Sequence, residues 1–267
     1  MVDYFRCLES YRMITADIFR FKAIQQLVLI LVSVVSLLAF LWPFLSTSSR
    51  SGTLFYLASM LSLTLLFIVI GRAKIDPKSI ALLAVLSSII AALRPLGAGA
   101  AGIEPMWFLL ILASYVFGSS FGFLLGAISM LLSAFLTGGF GPWLPYQIFA
   151  AAWIGAIAGA MPKLKRLEIP ILVICSLFTA ELFGMLMDLQ FWPYAIGPKT
   201  QLSYLPGAAL AENVHRYLVY HFTTSMAWNV PRAIFTALLI LIVGPGVLAT
   251  LKRSARRASF VSEIKFI

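Results

Sequence analysis

The feature that most limits how this chain can fold is a succession of apolar runs, each bounded by charge, proline or glycine. They fall at roughly 23–45, 53–71, 79–93, 104–118, 121–137, 143–161, 168–190 and 225–250. In lipid, backbone polar groups must be satisfied within the spanning structure itself, so only helices and closed barrels cross a membrane. Alternating strand patterns are absent, which leaves helices. Composition agrees: 61% of residues are apolar and 11% charged, whereas a soluble domain carries about 25% charge. The sequence therefore predicts an all-α membrane protein of about eight transmembrane helices. A soluble enzyme, a disordered chain and a fibrous repeat are set aside.

The first run is long enough to span a bilayer and no small-residue cleavage site follows it, so it reads as a retained helix rather than a signal peptide. Orientation follows from the 20 Lys and Arg. With the N-terminus inside, inner segments hold 15 of them, among them Lys163, Lys165, Arg166 and the cluster from Lys252 to Arg257. The outer side holds five: Arg50, Arg94, Lys199, Arg216 and Arg232. Cytoplasmic loops carry this excess, and an even number of spans puts both termini in the cytoplasm. The same rule accounts for the net charge of +10 without nucleic acid, since no basic stripe interleaves with aromatics as stacking sites require. Cys7 and Cys175 have no metal-ligand spacing and no disulfide is expected.

The long connection 191–224 is then outside, with Trp192, several tyrosines and both histidines, His215 and His221. Leu210, Val214, Leu218 and Phe222 recur at helical spacing, which predicts a surface helix over about 207–222. Gly97-Ala98-Gly99-Ala100-Ala101-Gly102 matches GxGxxG as letters, but it follows a transmembrane helix rather than a strand. It therefore reads as a close-approaching outer loop and not a dinucleotide site. Ala84, Ser88 and Ala92 lie four apart on one helix face and permit close helix approach. Ordinary internal packing explains such a face equally well.

Ionisable groups inside a membrane are costly and mark sites. Glu181 and Arg232 both fall about 10 Å below the outer rim, counted at about 1.5 Å per residue. Asp188 is near the first and Asn229 one turn from the second. A Glu181–Arg232 pair is expected, either fixing helix register or forming the polar floor of a pocket. The stretch Gly138-Gly139-Phe140-Gly141-Pro142-Trp143-Leu144-Pro145-Tyr146-Gln147 is the most distinctive. Gln147 lies one turn beyond Trp143, so a stacking ring stands beside a hydrogen-bonding amide, the mixture from which ligand pockets are built. Trp107 and Trp228 sit near the outer ends of their helices and can join them. An interfacial aromatic belt is the competing reading. His215 and His221 are six apart and face different directions on a helix. No HExxH, GxSxG or Walker motif occurs, so no catalytic residue, no metal site and no cofactor are expected.

The run Ala84–Pro162 resembles the substrate-binding S component of energy-coupling factor (ECF) transporters, vitamin and micronutrient importers of prokaryotes. Ala92-Leu93-Arg94-Pro95-Leu96-Gly97 and the 138–147 stretch carry the resemblance most strongly. It extends to Trp192-Pro193, Pro206-Gly207, Glu212-Asn213 and the basic tail, covering about 79–260. The resemblance implies a six-helix core that binds one small molecule from outside, in the prokaryotic cell membrane. It also implies partners: a membrane coupling subunit and two cytoplasmic ATPase subunits. A small-residue face packs on the coupling subunit in that family, and the matching positions here are Ala84, Ser88 and Ala92, with Ser in place of one Ala. The chain then divides into an N-terminal segment with an extra two-helix hairpin (1–78), a six-helix substrate-binding core (79–251) and a basic cytoplasmic tail (252–267).

Expected substrate contacts are Trp143, Tyr146, Gln147, Trp192 and Asn229, with Glu181 and Arg232 as floor or framework. Many aromatics and few charges on the outer loops favour a large ligand with apolar faces and hydrogen-bonding edges. Cobalamin or a related corrinoid is the first choice, with flavin and thiamin open. The main rival is a stand-alone secondary transporter. A membrane enzyme acting on lipid through Glu181, Asp188 and His215 is the second, and the absence of a catalytic motif counts against it.

Overall fold

The computed structural model describes residues 23–46, 51–72, 75–97, 102–164, 166–195 and 200–262. The N-terminal basic segment with Cys7, the centre of the Gly97–Gly102 stretch, Arg50, Lys74, Lys165, Lys199 and the last five residues lie outside the described residues. The helices are α1 (Ala23–Phe40), α2 (Trp42–Leu45), α3 (Ser51–Gly71), α4 (Pro77–Leu93), α5 (Met106–Phe117) and α6 (Ser119–Thr137). They continue as α7 (Leu144–Ala160), α8 (Glu168–Ala195), α9 (Leu210–Thr224), α10 (Met226–Ile242) and α11 (Gly244–Ser262). A 3-10 turn, Arg94–Gly97, follows α4. No strand occurs among the described residues.

Helix boundaries follow local chemistry. Asp76 caps α4, its carboxylate accepting from the backbone N–H of Lys78 and Ser79 at 3.1 and 3.3 Å, and Pro77 occupies a first-turn position where its missing N–H costs nothing. Gly118, at φ +93°, alone reverses the chain between α5 and α6, a left-handed conformation that glycine adopts without a Cβ penalty.

At the centre stands α5, with all twelve of its residues buried. Twelve residues rise about 18 Å, less than the ~30 Å of a hydrocarbon core. A helix surrounded by protein need not match the bilayer, because its ends meet other chain segments and not lipid. Around it α6 and α7 approach until their backbones touch. A Cβ built on Gly122 would lie 2.3 Å from the Gly155 carbonyl oxygen, and one on Gly126 would lie 2.2 Å from that of Ala151. This is the small-residue contact that substitutes for hydrophobic driving force in lipid.

Five helices are long and apolar enough to cross a membrane among the described residues: α1, α3, α4 with its 3-10 turn, α6 and α8. The bent pair α9–α10 makes up to six, while α5 and α7 are shorter apolar helices. The eight apolar runs thus all become helical, but they are not eight equal spans. The last run departs furthest. It breaks at Gly244-Pro245, where α11 begins, and Ser225 at its start is an elbow of 63° onto α9. α11 lays Leu248, Leu251 and Ala255 inward and ties Lys252 to Glu168 at the foot of α8 at 2.6 Å. The expected boundary at 251/252 falls inside this helix. α8 runs to Ala195 rather than ending near 190, because Pro193 removes only one bond from a last turn already anchored by buried Trp192.

The hairpin α1–α3 packs beside α7 and α8. The end of α1 and the turn, α2, insert aromatic side chains into the bundle: Phe40 of α1 lies 4.8 Å from Tyr146 and 5.5 Å from Trp153, and Phe44 of α2 lies 6.0 Å from Trp192, ring centre to ring centre.

Candidate functional site

Two turns separate Glu181 and Asp188 along α8, so both carboxylates face the same way. Ser225 at the elbow, with Asn229 and Arg232 on α10, forms a matching stripe at i, i+4 and i+7. His221, fully buried on α9, stands between the carboxylates. Its Nδ1 lies 2.5 Å from Asp188 and its Nε2 bonds Glu181. The Ser225 hydroxyl donates to Asp188 as well. An ionised carboxylate only accepts hydrogen bonds. With both ionised, both ring nitrogens must donate, and an imidazolium cross-links α9 to α8. The Tyr217 hydroxyl strengthens this seam by donating to the Met185 carbonyl at 2.6 Å.

The network continues across the bundle. Asn229 donates to Glu181 at 3.2 Å and accepts from the Arg232 guanidinium at 2.9 Å. Arg232 then donates through Nε to Glu104 at 2.8 Å, which also accepts from the Trp107 indole N–H at 2.6 Å. Glu104 reaches this position because Gly102, at φ +70°, lets the loop lie on α10: a Cβ there would sit 2.1 Å from the Trp228 carbonyl oxygen. Burial pushes the Glu104 carboxyl up. Arg232, the bonds from Trp107 and Arg232, and the nearby Arg94 outweigh that and hold it below its ordinary value. Arg94 at the end of α4 donates to Gln147 at 3.1 Å and to Ser133 at 3.4 Å, joining the same loop to α6 and α7.

The expected site residues therefore separate into three groups. Glu181, Asn229 and Arg232 meet in one network, but the expected Glu181–Arg232 pair is replaced by a relay through Asn229. The reason is Glu104, whose loop brings a carboxylate to Arg232 and leaves Glu181 to His221. Gln147 joins through Arg94. Tyr146 and Trp192 belong to aromatic packing instead, Tyr146 against Phe40 and Trp192 in a separate group of rings. Trp192 is fully buried, its indole N–H donating to the Leu202 carbonyl at 2.7 Å, and its ring lies 5.4–6.0 Å from Tyr204, Tyr217 and Phe44. Trp143 stands apart at the N-terminus of α7, 44% exposed. Trp107 joins the network and Trp228 is exposed.

Sequence reasoning missed Glu104 and gave His221 no role. The signal for His221 was the buried stripe Asn213, Tyr217, His221 at four-residue spacing on α9, opposite two acids seven apart. Comparing His221 with His215 hid it. For the 97–102 loop the close-approach reading holds at both ends: Gly102 as above, and Gly97, where a Cβ would meet the Ile103 carbonyl. Ala84, Ser88 and Ala92 are all exposed along one face of α4, opposite the buried Leu83, Leu86, Ser87, Ile90 and Ala91.

A family model described as "ECF transporter, substrate-specific component" matches residues 78–244, which leaves α1–α3 ahead of the matched region. No curated protein and no solved structure matches the chain.

Proposed function

Because the chain belongs to the substrate-specific components of ECF transporters, multi-pass membrane proteins that bind a transported substrate, we propose that it captures a vitamin or related micronutrient outside a prokaryotic cell for ATP-driven import. The observation that carries this reading is the network running from Asp188 through His221, Glu181, Asn229 and Arg232 to Glu104. It lies close to the turn that Arg94 ties to α6 and α7, and it supplies oriented polar groups within a largely apolar bundle. Its acids, Glu104, Glu181 and Asp188, are matched by Arg94, Arg232 and His221. That balance favours a ligand with hydrogen-bonding edges and no strong net charge, and a corrinoid such as cobalamin is the first candidate of that kind. Both termini are cytoplasmic in this account. Lys163 and the Lys252–Glu168 pair lie at the opposite end of the bundle from the network, in keeping with the charge asymmetry of the sequence. Residues 79–251 act as the substrate-binding core, with 1–78 as an added hairpin and 252–267 as the tail.

Energy comes from two ATPase subunits through a membrane coupling subunit. The coupling subunit docks on Ala84, Ser88 and Ala92, whose small exposed side chains admit a partner helix, whereas the outward faces of α1 and α3 carry large lipid-facing residues such as Leu27, Leu31, Leu54 and Leu61. The test is uptake of labelled cobalamin, riboflavin and thiamin by cells producing the chain with and without the coupling and ATPase subunits. Uptake that requires an active ATPase supports the proposal. One observation favours a second reading, a stand-alone secondary transporter: broken helices near ionisable groups are how such transporters build coupling-ion sites, and the α9–α10 elbow sits at the acid–histidine cluster. Uptake that persists without ATPases and collapses with the ion gradient would select it.

A further inference from the structure

The hairpin does not seal against the core along its whole length. Between α1 and the edge formed by α6 and α7 runs a cleft of about 520 Å³, within the range of small-molecule sites. Its lining is graded. Gln26 near the start of α1, and Ser119 and Ser120 in the first turn of α6, make one end polar, while Leu37, Phe123 and Trp153, with the single hydroxyl of Ser33 among them, line the rest with mainly apolar and aromatic surface.

Three observations define the occupant. The first is length: from Gln26 to Leu37 the cleft follows α1 for about 16 Å at the helical rise, half of a ~30 Å hydrocarbon core and so the depth of one leaflet. The second is the open side: the cleft is a groove on the outer surface of the bundle with a mostly apolar lining, so its occupant reaches it from the surrounding lipid. The third is polarity, concentrated at the end where a chain of leaflet length would meet the membrane surface, with Ser33 the one hydroxyl further along. We infer that the cleft between α1 and α6–α7 is a binding site for one phospholipid, an acyl chain lying along Leu37, Phe123 and Trp153 and the headgroup region at Gln26, Ser119 and Ser120. The bound lipid serves as packing between the added hairpin and the core. In the orientation proposed above it comes from the cytoplasmic leaflet. The inference needs only that the chain spans a membrane and is independent of the transported substrate.

The test compares the full chain with a cleft-filling variant, Ser33→Leu/Ala156→Leu, and with Leu61→Phe on the exposed face of α3. Each is purified in mild detergent, washed free of loosely held lipid, and measured by native mass spectrometry with extraction and quantification of phospholipid. One phospholipid per chain is expected in the parent and in Leu61→Phe, and none in the cleft-filling variant. Equal retention by all three, or none in the parent, overturns the site. A second measurement holds even if the filled variant fails to fold. In vesicles of phosphatidylcholine brominated on its acyl chains, the share of emission that distinguishes the parent from Trp153→Phe is quenched if a chain lies against Trp153. An unquenched share overturns the proposal. Vitamin uptake is read separately, so failure of the transport reading leaves both measurements interpretable.

Discussion

Replacing His221 with phenylalanine keeps an aromatic ring of similar shape on α9 and removes both nitrogens that cross-link it to α8. Hydrogen bonds to charged groups contribute about 1.5–3 kcal/mol each, so the two sum to at most ~6 kcal/mol. The realised loss is smaller. The Glu181 side chain is 35% exposed and keeps its bond from Asn229, so solvent screens part of its charge. Asp188, 15% exposed, retains only the Ser225 hydroxyl among the bonds described above, and removing one partner of a buried pair costs about 3–5 kcal/mol. An expected destabilisation of about 3 kcal/mol follows, falling on the α8–α9 seam rather than on the whole bundle. Hydrogen exchange of residues 210–224 in detergent, read by mass spectrometry, reports that opening directly. At about 1.4 kcal/mol per tenfold, protection across α9 is expected to fall by about 100-fold. The triple variant His221→Phe/Glu181→Gln/Asp188→Asn, which removes the stranded charges, is expected to recover much of it. A change below about threefold in His221→Phe, or no recovery in the triple variant, would refute the argument that an imidazolium bridges two ionised carboxylates.

Other consequences are equally open to measurement. The folded Glu104 carboxyl titrates below its unfolded value of about 4.3; its contribution to stability is complete above that value and is lost as pH falls through the lower folded one. The melting temperature of the parent is therefore expected to drop on acidification below about pH 4 by a component that Glu104→Gln lacks, and identical pH profiles would contradict this. Gly184→Ala in the middle of α8 would ordinarily gain up to about 1 kcal/mol of helix stability. Here its Cβ would meet the Asn229 amide at 2.1–2.4 Å, so a net loss of about 1–3 kcal/mol is expected from disturbing the Asn229 bonds, and a raised melting temperature would count against the observed close approach. Gln147→Ala frees one arm of Arg94 and is expected to weaken substrate binding by about 1–2 kcal/mol, measured by titration calorimetry. Unchanged affinity in a folded variant would remove Gln147 from the site.

Much of this architecture was legible in the sequence because the bilayer makes it so. Hydropathy located all eight apolar helices, and the turn at Gly118 was visible as a break between two runs. Hydropathy does not report whether a helix faces lipid or protein, so twelve-residue α5 read as one more span when it is the buried centre. The elbow at Ser225 and the restart at Gly244-Pro245 were hidden for a related reason: a continuous apolar run looks the same straight or bent. At the site, Glu181, Asn229 and Arg232 stood out as polar residues in apolar helices, and their shared depth came from counting residues. Their pairing did not, because Glu104 stands at the very edge of its apolar run, carried by a loop, and His221 lies outside the runs on a helix with mixed faces. Trp192 was legible as a residue of the outer connection expected to contact substrate, not as a buried one; the contact that the sequence could not show is Phe44 of the hairpin, a partner 148 positions away in the chain.

The measurement that tests the central claim most directly is native mass spectrometry of the gently purified chain from cells grown with vitamins present. The account predicts a vitamin-sized ligand bound to the chain and, under mild enough conditions, a coupling subunit and two ATPase subunits. A chain that carries no such ligand and assembles with no partner from substrate-rich cells would contradict the import mechanism proposed here.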